Sequence, residues 1–248
     1  MKFHTILALT ITCAISILSL GLIKESSAEN SIKADEKAIQ KVNFLVDFTD
    51  YQTGSVDKWL KSKGFVFERD ARNRKKLDLD ISDGGLVLEA KAQLSAVMLN
   101  DAVNLEKVSH VRIEWGVIKY PKGASYAKKV NNEAIMVYFF FGHNRLSSGH
   151  FLIPNSPYFV GLFLCETEQV NKGFKGRYFQ KGGRYVCLDN PKPGETVISE
   201  YNLVSAFKRK YKQDEVPVIS GIALAVDTSK SGDNGKATAF IKNIKFLD

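Results

Sequence analysis

The sequence predicts an all-β protein: an antiparallel β-sandwich of the jelly-roll type, with one short helix near the C-terminal third. Apolar and polar residues alternate along roughly ten segments, which is the pattern of half-buried strands. Turn-forming residues separate these segments about every dozen positions, as in sandwich folds. The chain also contains 16 Phe and 9 Tyr, whose side chains suit a pleated, half-buried surface.

The strand predictions follow from period-two patterns. Residues 42–48 place Val and Phe on one face and polar residues on the other. In residues 111–117, apolar side chains alternate with Arg112 and Glu114, so one face is predicted to be buried and the other polar. Residues 134–141 are apolar on both faces, which is typical of a central strand covered on two sides.

The C-terminal third predicts the helix and the last two strands. Residues 202–211 carry large apolar side chains at every fourth position, and Pro217 prevents extension of the helix beyond the following loop. Residues 219–226 and 238–247 are predicted strands. The Gly-, Ser- and Asp-containing segment between them predicts a polar hairpin loop.

The N-terminal segment predicts export to the periplasm or secretion. A basic start, an apolar run over residues 6–23 and the small residues 26–28 form the pattern of a signal peptide, so we expect residues 1–28 to be removed. Retention of the run as an uncleaved membrane anchor is the alternative. After cleavage no stable membrane span is expected. Residues 29–41 are interpreted as a polar leader and residues 42–248 as a single domain.

The charge indicates the kind of partner. A formal net charge of +8 favours anionic partners such as acidic polysaccharide or lipid headgroups. Basic and acidic residues are mixed along the chain, which is also typical of an ordinary solvated surface. Nucleic acid is not expected as a partner, because an exported protein rarely meets it and no nucleic-acid motif occurs.

Two cysteines remain after the predicted cleavage, and each lies in an apolar, strand-like run. If the two strands are neighbours, Cys165 and Cys187 form a disulfide, which the oxidising environment of an exported protein permits. The alternative is a pair of buried free thiols. Neither cysteine belongs to a metal-binding pattern.

Two blocks of sequence resemble a family of exported bacterial proteins known as domain of unknown function 3047. The first block runs from Trp115-Gly116-Val117 through Asn132-Glu133 into residues 137–142, and the second comprises residues 221–228 and 239–246. This resemblance implies a sandwich similar to carbohydrate-binding modules and no established activity.

The loop after residue 226 is a candidate calcium site. Asp227, Ser229 and Asp233 supply oxygen donors at alternate positions, as in the first half of a calcium loop. The twelfth position, however, is Thr238 instead of Glu, and a predicted strand follows instead of a helix. We therefore predict an ordinary polar loop and no cofactor, with structural calcium as the alternative.

A polysaccharide lyase is one alternative function. Residues 178–185 resemble the strand of jelly-roll alginate lyases that carries a Tyr acid and a Lys, here Tyr178 and Lys181. Arg112 and Glu114 resemble the Arg-and-Glu strand of the same enzymes. Cationic groups would neutralise a uronate carboxylate while Tyr and His exchange protons. The Gln-x-His strand of those enzymes is absent.

The interpretation we favour is a non-catalytic protein that binds a glycan or another component of the cell envelope. The predicted binding residues are Arg112 and Glu114 on a polar strand face, with His143 and Arg145 in a loop. A structural envelope protein without a small ligand is the third hypothesis, favoured if the sandwich has no groove.

Overall fold

The computed structural model describes residues 41–248, which form two β-sheets around one hydrophobic core. The predicted β-sandwich is therefore confirmed. The predicted signal peptide and almost all of the predicted leader lie outside the described residues. Within the part of the chain that is described, no helix is long and apolar enough to cross a membrane.

Thirteen strands and two α-helices follow one another along the described chain. They are β1 (Val42–Asp47), α1 (Val56–Ser62), β2 (Val66–Arg69), β3 (Leu77–Ser82), β4 (Gly85–Ala90), β5 (Ser95–Asn100), β6 (His110–Lys119), β7 (Glu133–Leu146), β8 (Ser156–Leu164), β9 (Gly173–Phe174), β10 (Gly183–Asp189), β11 (Val197–Asn202), α2 (Leu203–Tyr211), β12 (Ile219–Asp227) and β13 (Ala237–Leu247). Short 3-10 helices cover Asp70–Arg72 and Asp233–Gly235.

The two sheets divide the strands almost equally. Sheet A has the order β11-β6-β13-β4-β3, and β1 pairs with the C-terminal half of β13 beyond β4. Sheet B has the order β2-β5-β12-β7-β8-β10-β9. All pairs are antiparallel except β8 with β10, which run parallel. The chain crosses repeatedly from one sheet to the other, so the strands of each sheet come from the whole length of the domain.

The core lies between the inner faces of the two sheets. On β6 the alternation is as predicted, since Val111, Ile113 and Trp115 are fully buried. The indole Nε1 of Trp115 donates to Ser199 Oγ at 3.0 Å, which satisfies the polar atom of an otherwise apolar site. Across the sandwich, the rings of Phe139 and Phe246 meet with centroids 5.7 Å apart.

The predicted helix is confirmed as α2, and a second helix was not predicted. Asn202 caps α2 by accepting from the backbone N–H of Ser205 at 2.6 Å. The missed helix, α1, has seven residues and buries only Leu60, so its amphipathic pattern is too short to identify in the sequence.

The predicted hairpin between the last two strands is wrong. Strand β12 lies in sheet B and β13 lies in sheet A, so residues 228–236 carry the chain across the edge of the sandwich. Both strands are apolar enough to be central strands, and period-two alternation does not tell which sheet a strand joins.

The predicted disulfide is confirmed. Cys165 and Cys187 are bonded, with Cα atoms 5.6 Å apart and a sequence separation of 22 residues. The bond joins the end of β8 to β10, its parallel neighbour. The sequence condition, that the two cysteine-bearing strands lie side by side, is therefore met.

Candidate functional site

A groove of about 1210 Å³ runs over the outer face of sheet B. Its floor consists of outward-facing side chains of β5, β12, β7, β8 and β10. Its walls are the β6–β7 loop, the β7–β8 loop and the segment between β9 and β10. This volume lies slightly above the roughly 300–1,000 Å³ of typical small-molecule sites, so the groove is large enough to hold a ligand.

Aromatic rings cover the floor of the groove, and strand register explains their arrangement. Tyr138 and Phe140 are two positions apart on β7, so they share its outer face, and Phe140 lies opposite Phe159 of β8. The ring of Tyr138 lies 5.3 Å from Phe159 and 6.3 Å from Tyr185 of β10, centroid to centroid. Four rings from three adjacent strands therefore form one continuous aromatic surface.

A glycine makes room for this surface. Gly161 is paired with Tyr138 on one side and with Tyr185 on the other. A Cβ atom at this position would lie 2.5 Å from Met136 Sδ and 3.0 Å from the Tyr138 ring. Any larger residue would displace that ring, so Gly161 allows the two tyrosines to approach across the strand between them.

A fifth ring, Tyr126, comes from the β6–β7 loop and closes one end of the groove. It stacks on Phe163 with ring centroids 4.3 Å apart. Its backbone N–H donates to Glu168 Oε1 at 2.8 Å, and its hydroxyl donates to Glu133 Oε2 at 2.7 Å. The loop is thus attached to sheet B by one stack and two hydrogen bonds.

A buried carboxyl group lies beneath Tyr126. Glu133 is only 4% exposed and is paired in register with Asp227 on β12. Burial raises the pKa of Glu133 well above its usual value, and the neighbouring Asp227 carboxylate raises it further. The Asp227 carboxylate has hydrogen-bonding partners: it accepts from Asn132 Nδ2 at 2.8 Å and from the Ser229 hydroxyl at 2.6 Å. Burial and the Asp227 carboxylate both favour the neutral form of the Glu133 carboxyl over its charged form.

The side chains around the groove are predominantly cationic. The described lining includes the basic residues Arg69, Lys129, Arg145, Lys175, Arg177 and Lys230. Besides Glu133, its acidic residues are Glu68, Asp101 and Asp227. Within residues 41–248, none of the six basic side chains has an ion-pair partner within 4.0 Å. The groove therefore has an excess of unpaired positive charge.

The tyrosines of the floor are neutral hydrogen-bonding groups. Burial raises the pKa of Tyr138 well above its usual value, and it likewise raises the pKa of Tyr185. Arg69 acts in the opposite direction on both, which places its positive charge on the same side of the sheet as the two phenols. Aromatic faces, phenol hydroxyls and a guanidinium group are thus presented together.

The structure separates the four predicted binding residues into two pairs. His143 and Arg145 line the groove on sheet B. Arg112 and Glu114 lie on the outer face of sheet A, since they are on β6 between buried core residues. Arg112 pairs with Glu200 of β11, and Glu114 accepts from Asn243 Nδ2 at 2.9 Å. The four residues do not form one surface.

The residues predicted for a lyase are divided in the same way. Tyr178 lines the groove, with its ring 5.4 Å from that of His150, and Lys181 is exposed nearby in the same segment. Arg112 and Glu114 belong to the other sheet. One active site cannot contain all four.

The candidate calcium ligands are engaged with protein groups. Asp227 Oδ1 accepts from the N–H and the hydroxyl of Ser229, and Asp233 pairs with Lys119 at 2.6 Å. Among residues 41–248, no group of three or more His, Cys, Asp and Glu side chains is arranged to hold a metal ion.

The disulfide lies under the Tyr126 end of the groove. Cys165 and Cys187 pack with Tyr126, Met136 and Phe163 in a small apolar cluster on the outer side of sheet B, separate from the main core. Cys165 is followed closely by Glu168, whose carboxylate holds the Tyr126 backbone. The bond therefore fixes the segment that positions one wall of the groove.

Comparison with known proteins gives no family. No protein-family model matches the chain, and no curated protein matches it. Membership in the family of domain of unknown function 3047 therefore stays a prediction.

Solved structures similar to this chain include several carbohydrate-binding domains. A low-affinity xylan-binding module from Roseburia intestinalis has 12% identity and a TM-score of 0.31, covering 74% of this chain and 96% of that one. The K2 cleaved adhesin domain of Lys-gingipain has 12% identity and a TM-score of 0.36, covering 82% and 98%. The potassium-bound carbohydrate recognition domain of Emp46p has 8% identity and a TM-score of 0.38, covering 82% and 95%. Because these identities and TM-scores are low, the fold and the candidate site are assigned from the strands and side chains described above and not from these similarities.

Sequence reasoning missed the aromatic floor. Residues 134–141 are predicted to be a central strand covered on two sides; they are apolar on both faces, but the outer face of this strand forms the floor of the groove. The signal that could have identified a ligand surface is the hydroxyl of Tyr138, a polar group on an otherwise apolar strand.

Proposed function

We propose that the protein is an exported, non-catalytic glycan-binding protein whose ligand lies in the groove on sheet B. The observation that carries this proposal is the continuous aromatic floor formed by Tyr138, Phe140, Phe159 and Tyr185. Pyranose rings present apolar C–H faces that pack on aromatic rings, while their hydroxyl groups need polar partners at the side. The groove offers both kinds of group within one concavity.

We further propose that the glycan is acidic. Within the described part of the chain, six basic side chains around the groove have no ion-pair partner, and burial raises the pKa of Glu133. Arg69 faces the two floor tyrosines, where its guanidinium group would meet a uronate carboxylate bidentately. A neutral polymer would leave these charges uncompensated, whereas a uronate polymer supplies one carboxylate for each sugar.

Binding titrations with purified protein test both statements. We expect polygalacturonate or alginate to bind more tightly than xylan or cello-oligosaccharides, and the acidic polymers to bind less tightly as salt rises from about 0.05 to 0.5 M. Tyr138→Ala should weaken binding by about 10-fold or more, because a stacking surface is removed. Arg69→Gln should weaken binding of the acidic polymers selectively.

The matched control is Arg112→Gln. Like Arg69, Arg112 is a strand arginine with an outward side chain, but it lies on sheet A. We expect no change in affinity for this variant. Loss of binding in Arg112→Gln but not in Arg69→Gln would move the site to sheet A, and absence of binding to every glycan tested would contradict the proposal.

A second candidate is a lyase acting on a uronate polymer, favoured by the proximity of Tyr178 and His150 at the edge of a cationic groove. These two side chains could exchange protons with a sugar held below them. Unsaturated products absorbing at roughly 235 nm, formed from alginate by the wild type and not by Tyr178→Phe, would establish this activity. A structural protein without a ligand is the least supported hypothesis, because it predicts a sandwich without a groove.

A further inference from the structure

The loop between β7 and β8 carries two large apolar side chains that contact almost nothing. Phe151 is 90% exposed and Leu152 is 71% exposed. Neither residue lines the groove, although Ile153, Pro154 and Asn155 of the same loop do. Two adjacent, solvent-exposed apolar side chains at a loop tip are unfavourable in water, which indicates that something else covers them.

The loop that exposes these two side chains is held by hydrogen bonds within it. Ser148 Oγ lies within hydrogen-bond distance of the carbonyl oxygens of His150 (2.8 Å) and Ile153 (2.7 Å). The backbone N–H of Leu152 donates to His150 Nδ1 at 3.2 Å. The His150 ring also stacks on Phe151, with centroids 5.2 Å apart. The loop therefore holds the apolar tip outward.

The segment between β9 and β10 packs against this loop and extends the same surface. The Phe179 backbone N–H donates to the Ser148 carbonyl at 2.8 Å, and the Tyr178 ring contacts His150. We refer to residues 143–157 and 175–182 together as the basic loop pair. It contains the exposed cations Arg145, Lys175, Arg177 and Lys181, and neither segment contains an Asp or a Glu.

We propose that the basic loop pair docks on a bilayer surface that carries anionic phospholipid headgroups. Phe151 and Leu152 enter the region between headgroups and acyl chains, and the four cations contact the phosphates around them. Proteins that lie on membranes combine these two elements, an apolar part that penetrates the interface and basic residues that attract it to anionic lipid. The docked protein would hold the groove beside the membrane.

The chemistry of the tip favours lipid over a glycan. Leu152 has no flat face on which a sugar could stack, and neither residue is part of the groove lining. A leucine beside a phenylalanine instead suits hydrocarbon, since both side chains gain by leaving water. Arg145, Lys175 and Arg177 also line the groove, but the proposal does not require that a glycan binds.

A tryptophan at the tip tests the docking directly. The full-length variant Phe151→Trp is mixed with vesicles of phosphatidylglycerol and phosphatidylcholine, and with vesicles of phosphatidylcholine alone. With the anionic vesicles we expect a blue shift of emission and quenching by lipids brominated on their acyl chains. The matched control is Ile198→Trp, which places the indole at an exposed position on sheet A (Ile198 is 63% exposed), where neither effect is expected.

Loss-of-binding variants complete the experiment. We expect Phe151→Ser/Leu152→Ser to bind anionic vesicles about tenfold or more weakly than the wild type, and Ile198→Ser to bind as the wild type does. All variants share residues 1–40, so any contribution of that segment is the same in each. Vesicle binding without quenching of Trp at position 151, or no vesicle binding, would overturn the proposal. A blue shift caused by polygalacturonate in the absence of vesicles would reassign the tip to the glycan.

Discussion

The outer faces of the two sheets are built from the same alternating strands, yet they differ in how their charges are satisfied. On sheet A, Arg112 pairs with Glu200, and Glu114 contacts both Lys242 at 3.4 Å and Asn243. On sheet B, the basic residues at the edge of the groove have no such partners in the described chain, and the centre is aromatic. These charges on sheet A are thus paired, whereas those around the groove on sheet B are not, and this difference supports the proposal that the groove binds a ligand.

The comparison teaches that an outward charge on a strand is informative only together with its neighbours. Arg112 and Arg69 are both strand arginines with outward side chains, although Arg112 stands between two apolar residues and Arg69 between two acidic ones. Their difference arises from the adjacent strand, which supplies Glu200 to Arg112 and only Ser95 to Arg69. Polar alternation alone therefore led to the prediction that Arg112 and Glu114, which lie on sheet A, are binding residues.

Among the changes that distinguish the two sheets, removal of the disulfide should have the largest effect on stability. The bond lies on the side of sheet B. Changing Cys165 and Cys187 together to Ser should lower the free energy of unfolding by about 3 kcal/mol, because the unfolded chain regains the freedom of the closed loop. Urea denaturation of variant and wild type measures this. Groove ligands should also bind more weakly, because the Glu168 segment is no longer fixed. An unchanged midpoint and affinity would show that the bond does not support the groove.

The next effect concerns the buried carboxyl of sheet B. Burial raises the pKa of Glu133 above its usual value of 4.5, so the folded state binds a proton that the unfolded state releases. Between about pH 4.5 and the pKa of Glu133 in the folded protein, the free energy of unfolding should therefore fall by about 1.4 kcal/mol for each pH unit. Below about pH 4.5, Glu133 is protonated in both the folded and the unfolded protein and does not make stability depend on pH.

Glu133→Gln removes this titration while retaining an acceptor for the Tyr126 hydroxyl. The free energy of unfolding of the variant, measured by urea denaturation between pH 5 and 7, should therefore fall less with rising pH than that of the wild type. Glu114→Gln on sheet A is the matched control, because its carboxylate is partly exposed, and we expect it to behave as the wild type does. Parallel curves for Glu133→Gln and wild type would mean that Glu133 is already ionised in the folded protein.

The smallest effect is expected on sheet A. Arg112→Ala breaks the partly exposed pair with Glu200, and such pairs contribute only about 0.2–1 kcal/mol to stability. Urea denaturation in low and high salt measures the loss, which should shrink as salt screens the pair. A loss of several kcal/mol would show that sheet A, too, depends on specific charge contacts.

Much of the fold could be predicted from the sequence, because its determinants are local. The alternation in residues 111–117, the i, i+4 pattern of α2 and the adjacency of two cysteine-bearing strands all correspond to features of the structure. The short helix α1 was missed, since seven residues give too little periodicity.

The candidate site was predicted only in part, because it depends on strand order. His143 and Arg145 do line the groove, but they lie at the C-terminal end of strand β7 and not in the predicted loop. Their assumed partners Arg112 and Glu114 lie on the other sheet, and nothing in a single strand specifies which sheet it joins. The aromatic floor likewise requires β7, β8 and β10 to be neighbours, which includes a parallel pairing that turn signals do not predict.

The position of β13 also bears on when the chain can fold during its synthesis. This strand is the last of those described, yet it is the centre of sheet A and pairs with β1, β4 and β6. A nascent chain that ends before Ala237 exposes the edges of three strands with nothing between them. Sheet A therefore closes only after synthesis has passed residue 247, so the sandwich is completed only when nearly all of the described chain has been made.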